Sequence, residues 1–241
     1  MVTMLVTRPQ PDASETARRL NALDIDTVLD PLLTAQTLPT GLPAPAGFAA
    51  VAVTSANALR ALEDRGALDA YRTLPLYAVG DRTADVARRL GFRTVSSAGG
   101  NLSDLLSMLV RAELTGPVFY PAARHQSGDL AKALAPHGIM AITTPLYDMR
   151  PAIALADATR EGLGSGRIAA ALFYSRRTAE TFAHLAGTLG DRTRFGVLCL
   201  SEAVAAPLVA AHFVRVGLAD HPSEEAMMGL ALSFAREQNP A

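Results

Sequence analysis

With 241 residues, 49% of them hydrophobic, the chain can form one large domain or two modest ones and bury a real core, which excludes disorder as its default state. A formal net charge of −1 gives no electrostatic reason to expect nucleic acid as a partner. No apolar run reaches the ~18–20 residues that would span a bilayer, and MVTMLVTRPQ lacks the layout of a signal peptide, so a soluble cytoplasmic protein with no membrane partner is expected.

Six short apolar runs read as strands: Met4–Thr7, Ala50–Thr54, Leu76–Val79, Val118–Tyr120, Ala169–Tyr174 and Val197–Leu200. Each is followed by a polar turn and then by helical spacing, as in DASETARRLNAL, SANALRALEDRG, SGDLAKALAPHG and RTAETFAHLAG. Strands alternating with helices predict βαβ units and a parallel sheet covered on both faces, which also explains why the runs lack polar alternation. Expected helix caps are Asp12 or Ser14, Ser127, and Ser223 with Glu224 and Glu225 behind it. The stretches DPLLTAQTLPTGLPAPAG and TPLYDMRPAIA interrupt the pattern and read as linkers rather than core. GLGSGR at Gly162–Arg167 precedes a strand instead of following one, so it reads as a connecting turn and not as a dinucleotide fingerprint.

The chain also repeats itself. LVTRPQPDASETARRLNALDIDTVLDPLL resembles VFYPAARHQSGDLAKALAPHGIMAITTPLY at an offset of 114, which pairs Ala17 with Ala131 and Leu20 with Leu134. VTSANALRAL resembles FYSRRTAETF at an offset of 120, pairing Ser55 with Ser175. YAVGDRTADVARRLGFRTV resembles LCLSEAVAAPLVAAHFVRV at an offset of 121, pairing Gly80 with Ser201. The order is A–B–A′–B′, two similar α/β halves. The repeat alone leaves open whether A packs with B or with B′.

Catalytic signatures are missing. The five histidines show no metal-binding spacing, and Cys199, the single cysteine, sits in an apolar run and reads as a small buried hydrophobe. Ser55, Ser175 and Ser201 follow strands, but none lies in GxSxG, and capping is their expected work. What remains is a set of strand-end turns, TRPQPD, TSANA, GDRTA, PAARHQSG, SRRTA and SEAVA. Ligands of open parallel sheets bind at such ends, where helix N-termini present N–H groups to anions. Arg8, Arg124, Arg176 and Arg177 lie in the same turns and suggest a polyanionic, carboxylate-rich ligand. Lys132 is the only lysine among 22 basic residues, but that bias also fits a GC-rich coding sequence and decides nothing by itself.

The ordered set TRP, TSANA, VGDRTADVARRLG, GGNLSDLL, PLY, FYSRRTAETF, CLSEAVAAPL and HPSEEAMMGLAL resembles uroporphyrinogen-III synthases over nearly the whole chain. The resemblance implies two similar parallel-sheet α/β domains joined by a two-stranded linker, with the active site in the interdomain cleft. It implies a first domain of residues 1–33 and 152–241, a second of residues 38–144, and linkers at residues 34–37 and 145–151. It further implies that A packs with B′ and B with A′. The expected reaction cyclises the linear tetrapyrrole hydroxymethylbilane, which carries eight carboxylates, with loss of water and inversion of ring D, and needs no cofactor or metal. Tyr147 matches the family's cleft-facing tyrosine. Thr54, Ser55, Asn57, Gly80, Thr83 and Ser175 match carboxylate-holding positions, to which the strand-end reading adds Arg8, Arg124, Arg176 and Ser201. A monomer is expected, and hand-over of substrate from porphobilinogen deaminase is left open.

One departure stands out. Where many relatives have Gly-x-x-Thr in the last unit, this chain has Ser201-Glu202-Ala203-Val204, which lacks the threonine hydroxyl and adds a carboxylate beside an expected anion site. A non-catalytic binding or regulatory protein on the same fold is therefore the alternative reading.

Overall fold

The computed structural model describes residues 1–126, 128–188 and 192–238, and the chain divides into two compact units, residues 1–34 with 150–241 and residues 35–149. In the first unit, strands β1 (Thr3–Val6), β2 (Asp26–Leu29), β9 (Ile168–Phe173), β10 (Gly196–Cys199) and β11 (Arg215–Leu218) form a parallel sheet in the order β11-β10-β9-β1-β2. Its helices are α1 (Asp12–Asn21), α7 (Asp157–Gly164), α8 (Arg176–Leu185), α9 (Glu202–Ala210) and α10 (Glu224–Gln238). In the second unit, β3 (Leu33–Thr37), β4 (Ala50–Val53), β5 (Leu76–Ala78), β6 (Val95–Ser97), β7 (Val118–Ala123) and β8 (Ala141–Pro151) follow the order β3-β8-β7-β4-β5-β6. Helices α2 (Ala56–Asp64), α3 (Leu68–Tyr71), α4 (Asp81–Arg89), α5 (Leu102–Arg111) and α6 (Leu130–Leu134) belong to it. Without β3, the second sheet repeats the order of the first, with β6-β5-β4-β7-β8 standing where β11-β10-β9-β1-β2 stand. The strands of A thus join those of B′, and the strands of A′ join those of B.

Strand alternation divides each core into two layers. Met4 and Val6 pack with Leu20 of α1 and Met227, Ala231 and Phe234 of α10, whereas Leu5 faces the layer of Phe182 from α8 and Leu208 from α9. In the second unit Val51 and Val53 face α2 and α4, while Ala52 and Tyr120 face Leu105 of α5 and Leu130 of α6. Cys199 is fully buried in the first unit, and burial pushes its thiol up to about 12, as fits an inert core residue.

The proline-rich stretches read from composition as linkers rather than core hold β3 and most of β8, and Leu32, Leu33, Leu38, Leu146 and Tyr147 within them are buried, so these strands also pack as core. The expected cap of α1 is corrected. Neither Asp12 nor Ser14 caps α1. Pro11 holds the cap position, and the Gln10 amide oxygen instead accepts from the Ser14 N–H at 3.2 Å and from its hydroxyl at 2.9 Å. Ser127 lies outside the described residues, and Asp129 caps α6 by accepting from the Lys132 N–H at 3.0 Å. Ser223 accepts from the Ala226 N–H at 3.1 Å, as a cap should.

Tyr71, Tyr120, Tyr147 and Tyr174 all have phenol pKa values raised, chiefly by burial. A raised folded value means that stability is complete below the unfolded phenol pKa of about 10 and is lost as pH rises above it. The buried Cys199 thiol follows the same rule from its lower unfolded pKa of about 8.5, so the unfolding free energy from denaturant titration should hold level from neutral pH to about pH 8 and then begin to fall. Above pH 10 the buried phenols add to the fall, and a level profile there would contradict this.

Candidate functional site

At the carboxyl ends of β4 to β7, beside the middle of β8, the second unit carries a half-open cavity of about 410 Å³. Its walls come from successive strand ends: Thr54 and Ser55 after β4, Val79 after β5, Gly100 and Asn101 after β6, Tyr120 and Ala123 from the end of β7, His125 just beyond it, and Tyr147 from β8. The volume and the location at the strand carboxyl ends suit an organic ligand with polar substituents. Among the described residues, no aspartate, glutamate, lysine or arginine lines it.

Tyr147 owes its placement to an irregularity in β8. Ala122 pairs with Pro145 but Ala123 pairs with Tyr147, so Leu146 is an extra residue in the ladder. Such a bulge re-aims the side chains beside it. Leu146 and Tyr147 consequently both pack into the layer under α2, and the phenol meets the cavity wall with only 5% of the residue exposed. Burial raises the Tyr147 pKa, an interaction with the Ser55 hydroxyl pulls it partly back, and the nearby Tyr120 raises it slightly again. The proton therefore stays on the phenol well beyond neutral pH, and the group is a donor.

Serine hydroxyls set the neighbouring helix starts. Ser55 Oγ accepts from the Asn57 N–H at 3.2 Å, and Ser175 Oγ accepts from the Thr178 N–H at 3.2 Å, the same cap in the two halves of the repeat. The next pair also agrees. Gly80 leads α4 and Ser201 leads α9 with extended backbone, and neither supplies a side-chain cap. A side chain at Gly80 would be tight, because its Cβ would lie 3.3 Å from the Gly100 Cα, where the chain turns with φ +110°. Uncapped helix starts leave backbone N–H groups for an external acceptor.

Of the expected site residues, the cavity brings together Thr54, Ser55 and Tyr147, with Gly80 next to its wall at Val79. Asn57 is outside it, its amide oxygen accepting from Arg60 at 2.7 Å and its nitrogen 3.6 Å from the Met149 sulfur. Thr83 is buried in the first turn of α4. Arg124 is half-exposed, 3.8 Å from the Asp148 carboxylate, and is not a wall residue. Ser175, Arg176 and Ser201 stand at the strand ends of the first unit, where Arg176 pairs along its own helix with Glu180 at 2.9 Å.

Arg8 requires a correction. Arg8, expected from the strand-end turn TRPQPD to meet a carboxylate of the ligand, is only 8% exposed, and its guanidinium is taken by internal partners. It donates to Glu224 at 2.8 Å and Thr16 at 3.0 Å, and lies 4.0 Å above the Tyr174 ring. Glu224 also accepts from Thr16 at 3.1 Å and from the Tyr174 hydroxyl at 3.0 Å. Sequence reasoning treated Glu224 as a helix-start acid alone, and it overlooked Tyr120, Asn101 and His125 as cavity residues. The available signal for Tyr120 was a hydroxyl at the end of an apolar run, which needs a polar partner when buried.

The twinned α/β chain thus carries a polar cavity at strand carboxyl ends with an uncapped helix start next to its wall, the place where open parallel α/β sheets take their ligands. Residues 14–229 match the family model described as uroporphyrinogen-III synthase HemD. The chain belongs to this family, and it is a cyclising lyase-type enzyme of tetrapyrrole biosynthesis. A direct comparison with curated proteins returns no match. The fold is similar to that of the uroporphyrinogen-III synthetase from Helicobacter pylori, with TM-score 0.67 and 20% identity over 97% of this chain and 99% of that one. It is also similar to a mutant uroporphyrinogen III synthase from the extremely thermophilic bacterium Thermus thermophilus, with TM-score 0.57 and 15% identity over the full length of both chains.

Proposed function

We propose that the chain closes hydroxymethylbilane to uroporphyrinogen III by holding one folded geometry of the substrate while Tyr147 donates a hydrogen bond to the departing hydroxyl. The observation that carries this reading is the buried, protonated Tyr147 phenol at the wall of a cavity whose described residues include no charged side chain. Loss of the hydroxyl as water leaves an azafulvene-like electrophile, because the electron-rich pyrrole pushes the leaving group out. Ring D then attacks through its substituted carbon, and the resulting spiro intermediate opens and recloses inverted. Closure without inversion is the unassisted outcome, so orientation is the main contribution of the protein and proton donation a secondary one.

Substrate carboxylates are assigned to Thr54, Ser55 and the helix starts after Gly80, and to the corresponding turns at Ser175 and Ser201 in the other unit. The N–H groups at the uncapped starts of α4 and α9 support this assignment. We retain the layout of two domains with a two-stranded linker, and a monomeric cytoplasmic enzyme, as part of the same proposal. The test is a coupled assay in which porphobilinogen deaminase supplies hydroxymethylbilane to the purified chain. Isomer III as the main product is expected. Isomer I alone, as in the enzyme-free control, would leave a binding or regulatory protein on this fold.

Asp81→Pro probes the helix start without disturbing the fold. Proline suits the first helical position, and its only local loss is the N–H. With Asp81→Ala as the control for the carboxylate, the proline variant should have a KM about three- to tenfold higher than the alanine variant. Equal KM values would remove this N–H from the binding site.

A further inference from the structure

Strand β4 delivers two consecutive hydroxyls to opposite faces of its sheet, and each meets a phenol. Ala52 and Tyr120 belong to the layer under α5 and α6, and the pairing of Val51 with Phe119 sets Tyr120 alongside Ala52. Two residues beyond Ala52 on the same face comes Thr54, whose Oγ1 lies 3.1 Å from the Tyr120 hydroxyl. Ser55 follows on the other face, where Tyr147 packs. Both couples line the one cavity.

The Thr54–Tyr120 couple has two hydroxyl hydrogens and one mutual bond. Its other hydrogen has no acceptor among the described residues. Tyr120 is 2% exposed, so a donor left unused there is costly unless something in the cavity accepts it. Among the described residues no carboxylate is part of the cavity wall, and the acidic group felt at the Tyr120 phenol is Asp129, which comes last among the influences on it, after burial and Thr54.

We infer that Tyr120, held by Thr54, is a second substrate-binding phenol, and that this couple donates a hydrogen bond to a carboxylate of the tetrapyrrole while Tyr147 faces the departing hydroxyl. The inference rests on the reading of the cavity as the tetrapyrrole site. A bond of this kind is made equally in the bound substrate and in the transition state, so its loss appears in KM and not in kcat. Tyr120→Phe should therefore raise KM about tenfold, the effect of one hydrogen bond to a charged group, with kcat within about twofold. Thr54→Val keeps the phenol but loses its holder, and should raise KM about threefold. The double variant should be no worse than Tyr120→Phe, since the two hydroxyls act as one donor.

A merely structural Tyr120 would lower the melting temperature without this pattern in KM. If Tyr120→Phe fails to fold, Thr54→Val alone decides the matter, and an unchanged KM overturns the inference. An unchanged KM in Tyr120→Phe does so too, as does a fall in kcat at constant KM, which would place Tyr120 in the chemistry. When the wild-type chain makes isomer III, such results refute only the role of Tyr120. A wild-type chain that makes none refutes the tetrapyrrole reading and this inference with it.

Discussion

Tyr147→Phe is expected to lower kcat about 100-fold, the low end of what a positioned proton donor contributes, with KM within about threefold of wild type. The ring stays packed in the layer beneath α2, so only the oxygen and its contact with Ser55 are lost. Melting temperature should accordingly change by no more than about 2 °C. A low-end effect is expected because the pyrrole nitrogen already drives the hydroxyl out and needs only a donor to receive it. The donor is available at neutral pH because burial holds the phenol pKa above its ordinary value. Initial rates with freshly generated hydroxymethylbilane decide the matter, and an unchanged kcat would remove Tyr147 from the chemistry.

Glu224→Ala is expected to be among the most destabilising single changes in the first unit, by about 2–4 kcal/mol. The substitution leaves the Arg8 guanidinium buried without its closest acceptor, and it takes an acceptor from Thr16 and Tyr174 as well. Asp12, 3.6 Å from Arg8, offsets part of the loss, and so does the partial exposure of Glu224 itself. Glu224→Gln keeps an acceptor in place and should lose roughly half as much. Denaturant titration separates the two, and a Glu224→Ala variant as stable as wild type would show that the network is dispensable. This is a cost of folding and not of substrate binding, which is why Arg8 no longer stands among the substrate-binding residues.

The central strands were legible because burial on both faces writes an unbroken apolar run into the sequence, as at Ala50–Val53 and Ile168–Phe173. Strands β2, β6 and β11 were not read as strands. They are short, and mostly half-exposed, so Asp26–Leu29, Val95–Ser97 and Arg215–Leu218 look like loop sequence. Strand β8 was hidden by its prolines and by the bulge at Leu146, which breaks its alternation. The caps Ser55 and Ser175 were readable as local signals, since each bonds within its own first turn. The fate of Arg8 was not, because its acceptor lies 216 residues further on and only the sheet order brings the two together. The couple of Tyr120 with Thr54 failed to show for the same reason, being a contact between neighbouring strands that are 66 residues apart at those positions.

The central claim is that the fold, rather than a reactive side chain, decides which ring closure occurs. A single-turnover experiment on Tyr147→Phe tests it most directly, with protein in excess so that all hydroxymethylbilane is bound, and with the oxidised isomers separated by chromatography. The account predicts slow turnover that still gives isomer III as the dominant product, because the held geometry survives loss of the phenol oxygen. Slow turnover giving mainly isomer I would contradict it, since the phenol and not the enclosing fold would then be choosing the product.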